Sequence, residues 1–235
     1  MNIAIVFAGG IGVRMGSETP KQFLELQGKP VLAHTLLLFE RHPRIDKILL
    51  VAAANCQEAC RELAERFGVT KLCRIVAGGA SAQESIYSGL KAAAELFPPE
   101  TVVLIHDGVR PYLASVVIDR NIDAVEQFGN AVTYTPCYET IVLSKDGKRI
   151  DELPLRRESY TAQAPQSFRL GDILSAHERI RAEGRGYEDL VDQATICWSL
   201  GLPIHLVEGC RGNIKITTYE DILMLDALLG EKLAD

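Results

Sequence analysis

The chain has 235 residues, a length suited to one α/β domain with a substantial core. Hydrophobic residues make up 47% and charged residues 24% of the sequence, and the formal net charge is −6. This charge argues against a general nucleic-acid or acidic-membrane binder, because phosphate-backbone affinity needs clustered Lys and Arg. A few local cations can still hold one small anion.

The first residues and the cysteines indicate a compartment. An apolar run, Ile3–Phe7, stands near the N-terminus without a basic leader, and no apolar stretch reaches the roughly 20 residues that span a bilayer. The six cysteines form no Cys-x-x-Cys pair, which predicts reduced, mostly buried thiols. We therefore expect a soluble cytoplasmic protein that binds neither membrane nor nucleic acid.

Short apolar runs alternate with amphipathic segments along the whole chain. Nearly continuous hydrophobicity is typical of strands covered on both faces, and it predicts strands at Ile3–Phe7, Lys47–Ala53, Cys73–Ala77, Val102–His106 and Ala131–Pro136. The alternation predicts an α/β fold: one domain, residues 1–235, with a doubly wound, mostly parallel sheet. Ligands of such sheets bind beyond the carboxyl ends of the strands.

Helix starts are marked by capping signals. A helix beginning at Pro30 has an apolar face that includes Leu32, Leu36 and Phe39. Further helices are predicted from capping boxes and from a terminal glycine: one from Ser81-x-x-Glu84, one over about Glu188–Leu200 before Gly201, and one after Thr217-x-x-Glu220.

Residues 138–161 interrupt the alternation. Asp146-Gly147 lies between two β-prone runs, a strong signal for a β-hairpin. This polar hairpin would project from the sheet. Two interpretations are open from the residues alone: a surface excursion, or an arm that grips a second subunit.

A glycine-rich loop follows the first predicted strand. Glycines 9, 10, 12 and 16 allow backbone N–H groups to approach a phosphate, and Arg14 and Lys21 could bring positive charge to a triphosphate. The loop matches neither a dinucleotide fingerprint nor a P-loop. Taken alone, the two cations could equally be solvated residues near a turn.

Two further residues are candidates for phosphate chemistry. Asp107 follows a central predicted strand, where an open α/β sheet places a metal–phosphate ligand or a ribose contact, although a simple turn Asp before Gly108 is an alternative. Lys215 alternates with Ile214 and Ile216, so it would point away from the core, as many solvent-facing lysines do. His106 is interpreted as a packed structural histidine.

Taken together, these segments resemble the polyol-phosphate cytidylyltransferases, which include the ribitol 5-phosphate and 2-C-methyl-D-erythritol 4-phosphate enzymes. The resemblance spans nearly the whole chain. It rests on five motifs in the same order: the loop Ala8–Gly16, Pro20–Phe23, His106–Pro111, Ala164–Phe168 and Asn213–Thr218. It implies a Rossmann-like nucleotidyltransferase fold, CTP as substrate and Mg²⁺ as cofactor.

The resemblance also implies roles. Arg14 and Lys21 would stabilise charge on the CTP phosphates, Lys215 would contact the α-phosphate, and Asp107 would organise the metal, the nucleotide and, with Arg110, the acceptor. The residues around the nucleotide would be Ala8, Gly9, Gly10, Gly12, Gly79 and Ser85.

In this family the projecting hairpin is a dimerisation arm, so the resemblance implies a homodimer formed through residues 138–161. Thr140 and Arg156 match positions that bind the polyol phosphate in the partner's active site, with the adjacent Arg157 as an alternative.

The acceptor is a finer question. Methylerythritol enzymes usually carry Ala-Ala-Gly where this chain has Ala8-Gly9-Gly10, and Thr where it has Ala164. These departures favour D-ribitol 5-phosphate, with 2-C-methyl-D-erythritol 4-phosphate as the alternative. A sugar-1-phosphate nucleotidyltransferase and a non-catalytic nucleotide-binding homologue are two further alternatives.

Overall fold

The computed structural model describes residues 1–8, 19–184, 187 and 190–232. Its strands are β1 Asn2–Ala8, β2 Glu25–Leu26, β3 Lys29–Pro30, β4 Lys47–Ala52, β5 Leu72–Ala77, β6 Val102–Asp107, β7 Asn130–Pro136, β8 Tyr160–Arg169 and β9 Leu206–Glu208. Its α-helices are α1 Val31–Glu40, α2 Gln57–Arg66, α3 Ala82–Ala94, α4 Ser115–Phe128, α5 Leu170–Glu183, α6 Gln193–Ser199 and α7 Tyr219–Lys232.

Seven of these strands form one sheet in the order β5-β4-β1-β6-β8-β7-β9. The neighbours from β5 to β6 are parallel, β8 runs antiparallel to both β6 and β7, and β9 is parallel to β7. The predicted mostly parallel, doubly wound α/β fold is confirmed, as are the five predicted strands. The remaining pair, β2 and β3, makes a small separate hairpin.

Side chains alternate across the central strand β1 and so build two cores. Ala4 and Val6 pack with helices α1, α2 and α4 on one face, whereas Ile3 and Ile5 pack with α3, α5 and α6 on the other. Burial of apolar side chains on both faces drives the fold and fixes the strand register. As a result, the carboxyl ends of β1 and β6 open at the same rim of the sheet.

A third, smaller core supports this rim. Leu26 of the β2–β3 hairpin, Val109 after β6, Ile216, and Leu225 and Leu229 of α7 are buried together. The hairpin is clasped to α7 by Gln27, whose backbone N–H and side-chain amide donate hydrogen bonds to Asp226. The C-terminal helix thereby holds the segment around Lys215 against the turn that follows β6.

The observed start of α3 agrees with the prediction from the sequence, whereas the starts of α6 and α7 differ from it. Ser81 Oγ accepts a hydrogen bond from the Glu84 N–H and starts α3, as predicted. Helix α6 does not begin near Glu188: residues 190–192 are not helical, and Asp192 is its N-cap.

For α7, the capping acid is Asp221 rather than the predicted Glu220. Its Oδ2 accepts hydrogen bonds from the backbone N–H groups of Thr217 and Thr218, at 2.7 and 2.8 Å. Helix α7 therefore starts one residue later than predicted.

The segment 138–161 departs from the predicted hairpin. It contains one isolated bridge, between Leu143 and Glu152, and a 3₁₀ turn at Arg156–Glu158. The Asp146-Gly147 turn is present, with Gly147 at φ +67°. Residues 138–159 form no regular strand, and the last two residues of the segment begin β8. Nearly all of residues 138–159 are exposed, and a ladder without a face to bury adds little stability.

Two compositional expectations are resolved as well. All six cysteines are free thiols, but only Cys56, Cys60 and Cys197 are buried, so "mostly buried" holds for half of them. Within the described ranges, no helix has the length and apolar character that crossing a membrane would require.

Candidate functional site

The site is centred on Asp107, the last residue of β6. In the parallel pairing of β1 with β6, Asp107 lies opposite Phe7. The Asp107 side chain is 8% exposed. Lys215 Nζ lies 2.7 Å from Asp107 Oδ1, and Arg110 Nε lies 2.7 Å from Asp107 Oδ2. Arg110 also donates a hydrogen bond to the Asn213 carbonyl. Residues about a hundred positions apart in sequence thus share one carboxylate.

Electrostatics keep this carboxylate ionised. Burial alone would raise the pKa of Asp107, but the positive charges of Arg110 and Lys215 outweigh it and lower the pKa to about 2. Asp107 is therefore a fixed negative charge near neutral pH. It holds Arg110 and Lys215 in place at the rim of the sheet.

Lys21 reaches the same rim from the 3₁₀ turn Lys21–Phe23. Its Nζ donates a hydrogen bond of 3.0 Å to the carbonyl of Ile216, which adjoins Lys215. The Ile216 N–H in turn donates to Val109 O, two residues after Asp107. Ile216 is buried and Lys215 points outward, as the alternation predicted, although residues 213–218 do not form a strand.

Ala8 is the one candidate of the glycine-rich loop that lies within the described residues. Ala8 ends β1, is buried, and accepts a hydrogen bond from the buried Gln22 side chain at 3.3 Å. The other loop candidates, Gly9, Gly10, Gly12 and Arg14, lie outside the described residues.

Gly79 and Ser85 lie together after β5. Ser85 Oγ accepts a hydrogen bond from the Gly79 N–H at 3.1 Å and donates one to the Ser81 carbonyl at 2.9 Å. A Cβ on Gly79 would overlap Glu84. The buried Ser85 hydroxyl therefore shapes the turn that leads into α3, and only glycine fits at position 79.

His106 is structural, as predicted. It is fully buried, and its Nε2 donates a hydrogen bond to the Arg110 carbonyl at 3.2 Å. Burial lowers its pKa to about 4, so the imidazole is neutral at physiological pH. His106 thus fixes the turn between Asp107 and Arg110.

A cavity of about 200 Å³ opens beside Asp107, and sequence analysis missed most of its far wall. Gln166 Oε1 accepts hydrogen bonds from the N–H groups of Gln193 and Ala194, and its Nε2 donates to Asp192. Gln166 was noted only as part of a motif, and nothing in the sequence pairs it with Asp192. The lining is Phe7, Ala82, Ile86, Ile105, Asp107, Arg110, Ala162, Gln163, Ala164, Gln166, Val191, Asp192, Gln193 and Lys215.

Thr140 and Arg156 are placed elsewhere, on the exposed segment 138–161. Neither lines this cavity in the described chain. Arg156 donates a weak hydrogen bond of 3.5 Å to the Tyr138 carbonyl, and the adjacent Arg157 pairs with Glu158. Within one subunit, the arm residues and the Asp107 cluster do not form a single site.

The side-chain oxygen and nitrogen atoms near Asp107 indicate how a metal ion could be held. In the described ranges, no group of three or more His, Cys, Asp or Glu side chains could enclose one. Asp107 has two oxygens with about four lone-pair positions and uses two of them for Lys215 and Arg110. This fits Mg²⁺ held mainly by phosphate oxygens and water, which is how that ion usually binds nucleotides.

Comparison with known proteins decides the family. Residues 2–231 match the family model described as IspD, 2-C-methyl-D-erythritol 4-phosphate cytidylyltransferase. The chain belongs to this family. The cytidylyltransferase resemblance seen in the motifs is therefore confirmed, and the protein is a nucleotidyltransferase.

The similar proteins include both ribitol-5-phosphate and 2-C-methyl-D-erythritol 4-phosphate cytidylyltransferases. The chain is 44% identical to a ribitol-5-phosphate cytidylyltransferase of Streptococcus agalactiae serotype V, covering 97% of this chain and 95% of that protein. It is 41% identical to a 2-C-methyl-D-erythritol 4-phosphate cytidylyltransferase of Geotalea uraniireducens, covering 96% and 95%. The structure of 4-diphosphocytidyl-2C-methyl-D-erythritol synthase from Anaerococcus prevotii superposes with a TM-score of 0.82 at 29% identity, over 97% of this chain and 96% of that one.

Proposed function

We propose that this protein transfers CMP from CTP to a polyol phosphate, with D-ribitol 5-phosphate as the favoured acceptor, and releases pyrophosphate. The observation that carries the proposal is the meeting of Lys21, Lys215 and Arg110 around Asp107 at one rim of the sheet. These three cations outnumber Asp107 and Asp192, the two carboxylates beside them in the cavity, on a protein of net charge −6, which suits a polyanionic nucleotide.

The chemistry needs no nucleophile from the protein. A phosphate oxygen of the acceptor attacks the α-phosphorus of CTP, a new P–O bond forms, and the bond to the β-phosphate oxygen breaks to release pyrophosphate. The work of the protein is to hold the reactants in line and to neutralise developing charge. We assign this neutralisation to Lys21, Lys215 and Arg14.

Lys215 is well suited to this role because its present partner is replaceable. It is 43% exposed and paired with Asp107, which keeps a second partner in Arg110. An α-phosphate can therefore attract Lys215 without leaving the buried carboxylate unpaired. Arg110, which is more buried, would stay on Asp107 and border the acceptor.

The nucleoside would lie over the turn after β5 and the end of β1. We assign it to backbone groups of Gly79 and Ala8 and of the loop glycines Gly9, Gly10 and Gly12. Ser85 supports this site because its hydroxyl already fixes the Gly79 N–H. Mg²⁺, when bound, would neutralise the triphosphate beside Asp107.

The acceptor assignment rests on two observations. The 44% identity is to a ribitol-5-phosphate enzyme, against 41% for the methylerythritol relative. The far wall of the cavity carries Gln163, Gln166 and Asp192, polar groups suited to a hydroxyl-rich chain. The reaction would take place in the cytoplasm.

The experiment is a comparison of acceptors. Purified protein with CTP and Mg²⁺ receives D-ribitol 5-phosphate, 2-C-methyl-D-erythritol 4-phosphate or a sugar 1-phosphate, and pyrophosphate release is measured. We expect kcat/KM at least tenfold higher for ribitol 5-phosphate than for the other two. A higher value for the methylerythritol substrate would reassign the acceptor. Tight CTP binding without turnover on any acceptor would indicate a non-catalytic homologue.

We also propose a homodimer in which residues 138–161 of each subunit reach the partner. Five apolar side chains of this arm, Val142, Leu143, Ile150, Leu153 and Leu155, are 46–59% exposed. Such a cluster is typical of an interaction surface. The arm would bring Thr140 and Arg156 to the acceptor phosphate bound by the other subunit.

A further inference from the structure

A second cavity, of about 460 Å³, lies on the side of the molecule formed by α1, the start of α4 and the end of α7. Its apolar lining is Leu37, Leu38, Pro111, Leu113, Ile118 and Leu229. The volume falls in the range of sites for small organic ligands. None of the Asp107 cluster lines it, although Pro111 directly follows Arg110.

The polar lining of this cavity is basic. It consists of Lys29, His34, Arg41, His42 and Ser115, and no acidic residue of the described chain lines it. The side chains of Lys29 and Arg41 make no hydrogen bond or ion pair with any described residue. In a protein with six more acidic than basic side chains, a described lining with two cations and no acid is notable for its charge.

The histidines lie close to these cations. Burial lowers the pKa of His34, and the nearby positive charges of Lys29 and Arg41 lower it further, against the opposing effects of its Leu26 hydrogen bond and of Asp226. His34 is therefore neutral at physiological pH, and its Nε2 donates a hydrogen bond to the Leu26 carbonyl at 2.8 Å. The positive charge of the cavity comes from Lys29 and Arg41.

His42 is buried in the wall of the cavity and faces Asp119. The residue is 3% exposed, and its Nδ1 accepts from the Arg44 N–H at 3.3 Å, so the ring proton is on Nε2. Nε2 lies 3.5 Å from Asp119 Oδ2 but forms no hydrogen bond with any described residue. The Asp119 carboxylate is thus the acceptor that faces His42, and the positive charge of the cavity does not depend on this histidine.

The N-terminus of α4 adds to the same side. Ser115 is the first residue of this 14-residue helix, and the residue before it, Ala114, has no side chain that could cap the helix. The N–H groups of the first turn and the helix dipole favour an anion here. Together with Lys29 and Arg41, this makes one wall of the cavity attractive to negative charge while the other wall is apolar.

We propose that this cavity binds a small organic anion with an apolar body, such as an aryl or alkyl phosphate, sulfonate or carboxylate. Lys29 and Arg41 hold its charged group near the α4 N-terminus, and its apolar body packs on Leu38, Leu113 and Ile118. This site is separate from the Asp107 rim and does not depend on the proposed reaction.

The test uses the fluorescent probe 8-anilinonaphthalene-1-sulfonate, which has both features of the proposed ligand. We expect saturable binding of one probe per chain, displaced by phenyl phosphate and not by the neutral benzyl alcohol. The Lys29→Ala/Arg41→Ala double variant should weaken binding about tenfold or more. A matched control, Lys47→Ala/Arg120→Ala, removes two exposed cations outside the lining and should bind as the wild type does.

A second variant separates binding from folding. Ser115→Asp adds a negative charge at the start of α4, which favours the helix but repels an anion. It should keep or raise the melting temperature and still lose probe binding at least tenfold. The proposal is overturned if both variants bind normally, or if Lys215→Ala abolishes binding instead, since the probe would then occupy the Asp107 rim.

Discussion

Replacing Lys215 by Ala separates the two things that this side chain does. In folding, it is one of two cations on Asp107; in the proposed reaction, it neutralises the α-phosphate. The two contributions have different sizes, and the structure allows both to be worked out.

The folding contribution is small. Lys215 is 43% exposed, so its ion pair is screened by water and contributes about 1 kcal/mol or less, and Asp107 keeps Arg110 after the substitution. For a chain of this length, that loss lowers the melting temperature by about 2–4 °C. The catalytic contribution is larger: removing one preorganised charge at a transition state typically costs about 10²–10³ in kcat, or about 2.7–4 kcal/mol.

The assay measures pyrophosphate release at saturating CTP and acceptor, together with the melting temperature of each variant. Lys215→Ala should lose at least 100-fold in kcat with a nearly unchanged melting temperature, and Lys215→Arg should recover part of the rate. Lys47→Ala, which removes an exposed cation at the start of β4, is the matched control. A Lys215→Ala kcat within threefold of the wild type would refute the role assigned to this residue.

Three further predictions concern the nucleotide turn, the buried histidines and the arm. Gly79→Ala would force a Cβ into Glu84 and displace the turn, so we expect the KM for CTP to rise at least tenfold in steady-state kinetics; an unchanged KM would contradict the placement of the nucleotide. His106 and His177 have pKa values that burial lowers to about 4, below about 6.5 in the unfolded chain, so their stabilisation is complete above pH 6.5 and is lost as the pH falls toward 4. The free energy of unfolding, measured by urea titration, should fall by about 2 kcal/mol per histidine between pH 7.5 and 5, and the fall should be about half as large in His177→Asn; equal pH dependence in both proteins would show that His177 is not buried and neutral. Leu153→Asp should shift the proposed dimer toward monomer in sedimentation velocity at micromolar concentration and reduce activity in parallel, whereas a fully active monomer would contradict a shared site.

Much of the fold could be predicted because the signals are local. Residues 3–8 of β1 and 102–105 of β6 are all apolar, a pattern typical of strands buried on both faces. Ser81 lies three residues before Glu84, and its hydroxyl caps α3 as that spacing predicts. The alternation of Lys215 with Ile214 and Ile216 predicted that Lys215 points outward, and this holds although the segment is not a strand.

The errors arise where tertiary contacts outweigh local preference. A helix over about Glu188–Leu200 was expected from the pattern that ends at Gly201, but Asp192 caps α6 and accepts a hydrogen bond from Gln166, and Val191 lines the cavity instead. The 138–161 hairpin has the right turn and one bridge, yet its β-prone residues have no face to bury within one subunit.

In the candidate site, too, local patterns predicted some features and tertiary contacts determine the others. Asp107 could be placed at a strand end from the sequence, because the carboxyl ends of parallel strands are where such sheets bind ligands. Its pairing with Lys215, 108 positions later, depends on how α7 and the β2–β3 hairpin pack, which no local pattern encodes. The amide wall of Gln163 and Gln166 was missed for the same reason.

Transfer of the CMP group itself is the most direct test. CTP labelled with ³²P at the α-phosphate is mixed with Mg²⁺, D-ribitol 5-phosphate and enzyme in a single turnover, and the labelled species are separated. We expect the label to appear in CDP-ribitol at the rate at which pyrophosphate forms. Label that stays in CTP, or appears as free CMP with no CDP-polyol from any acceptor, would contradict the account.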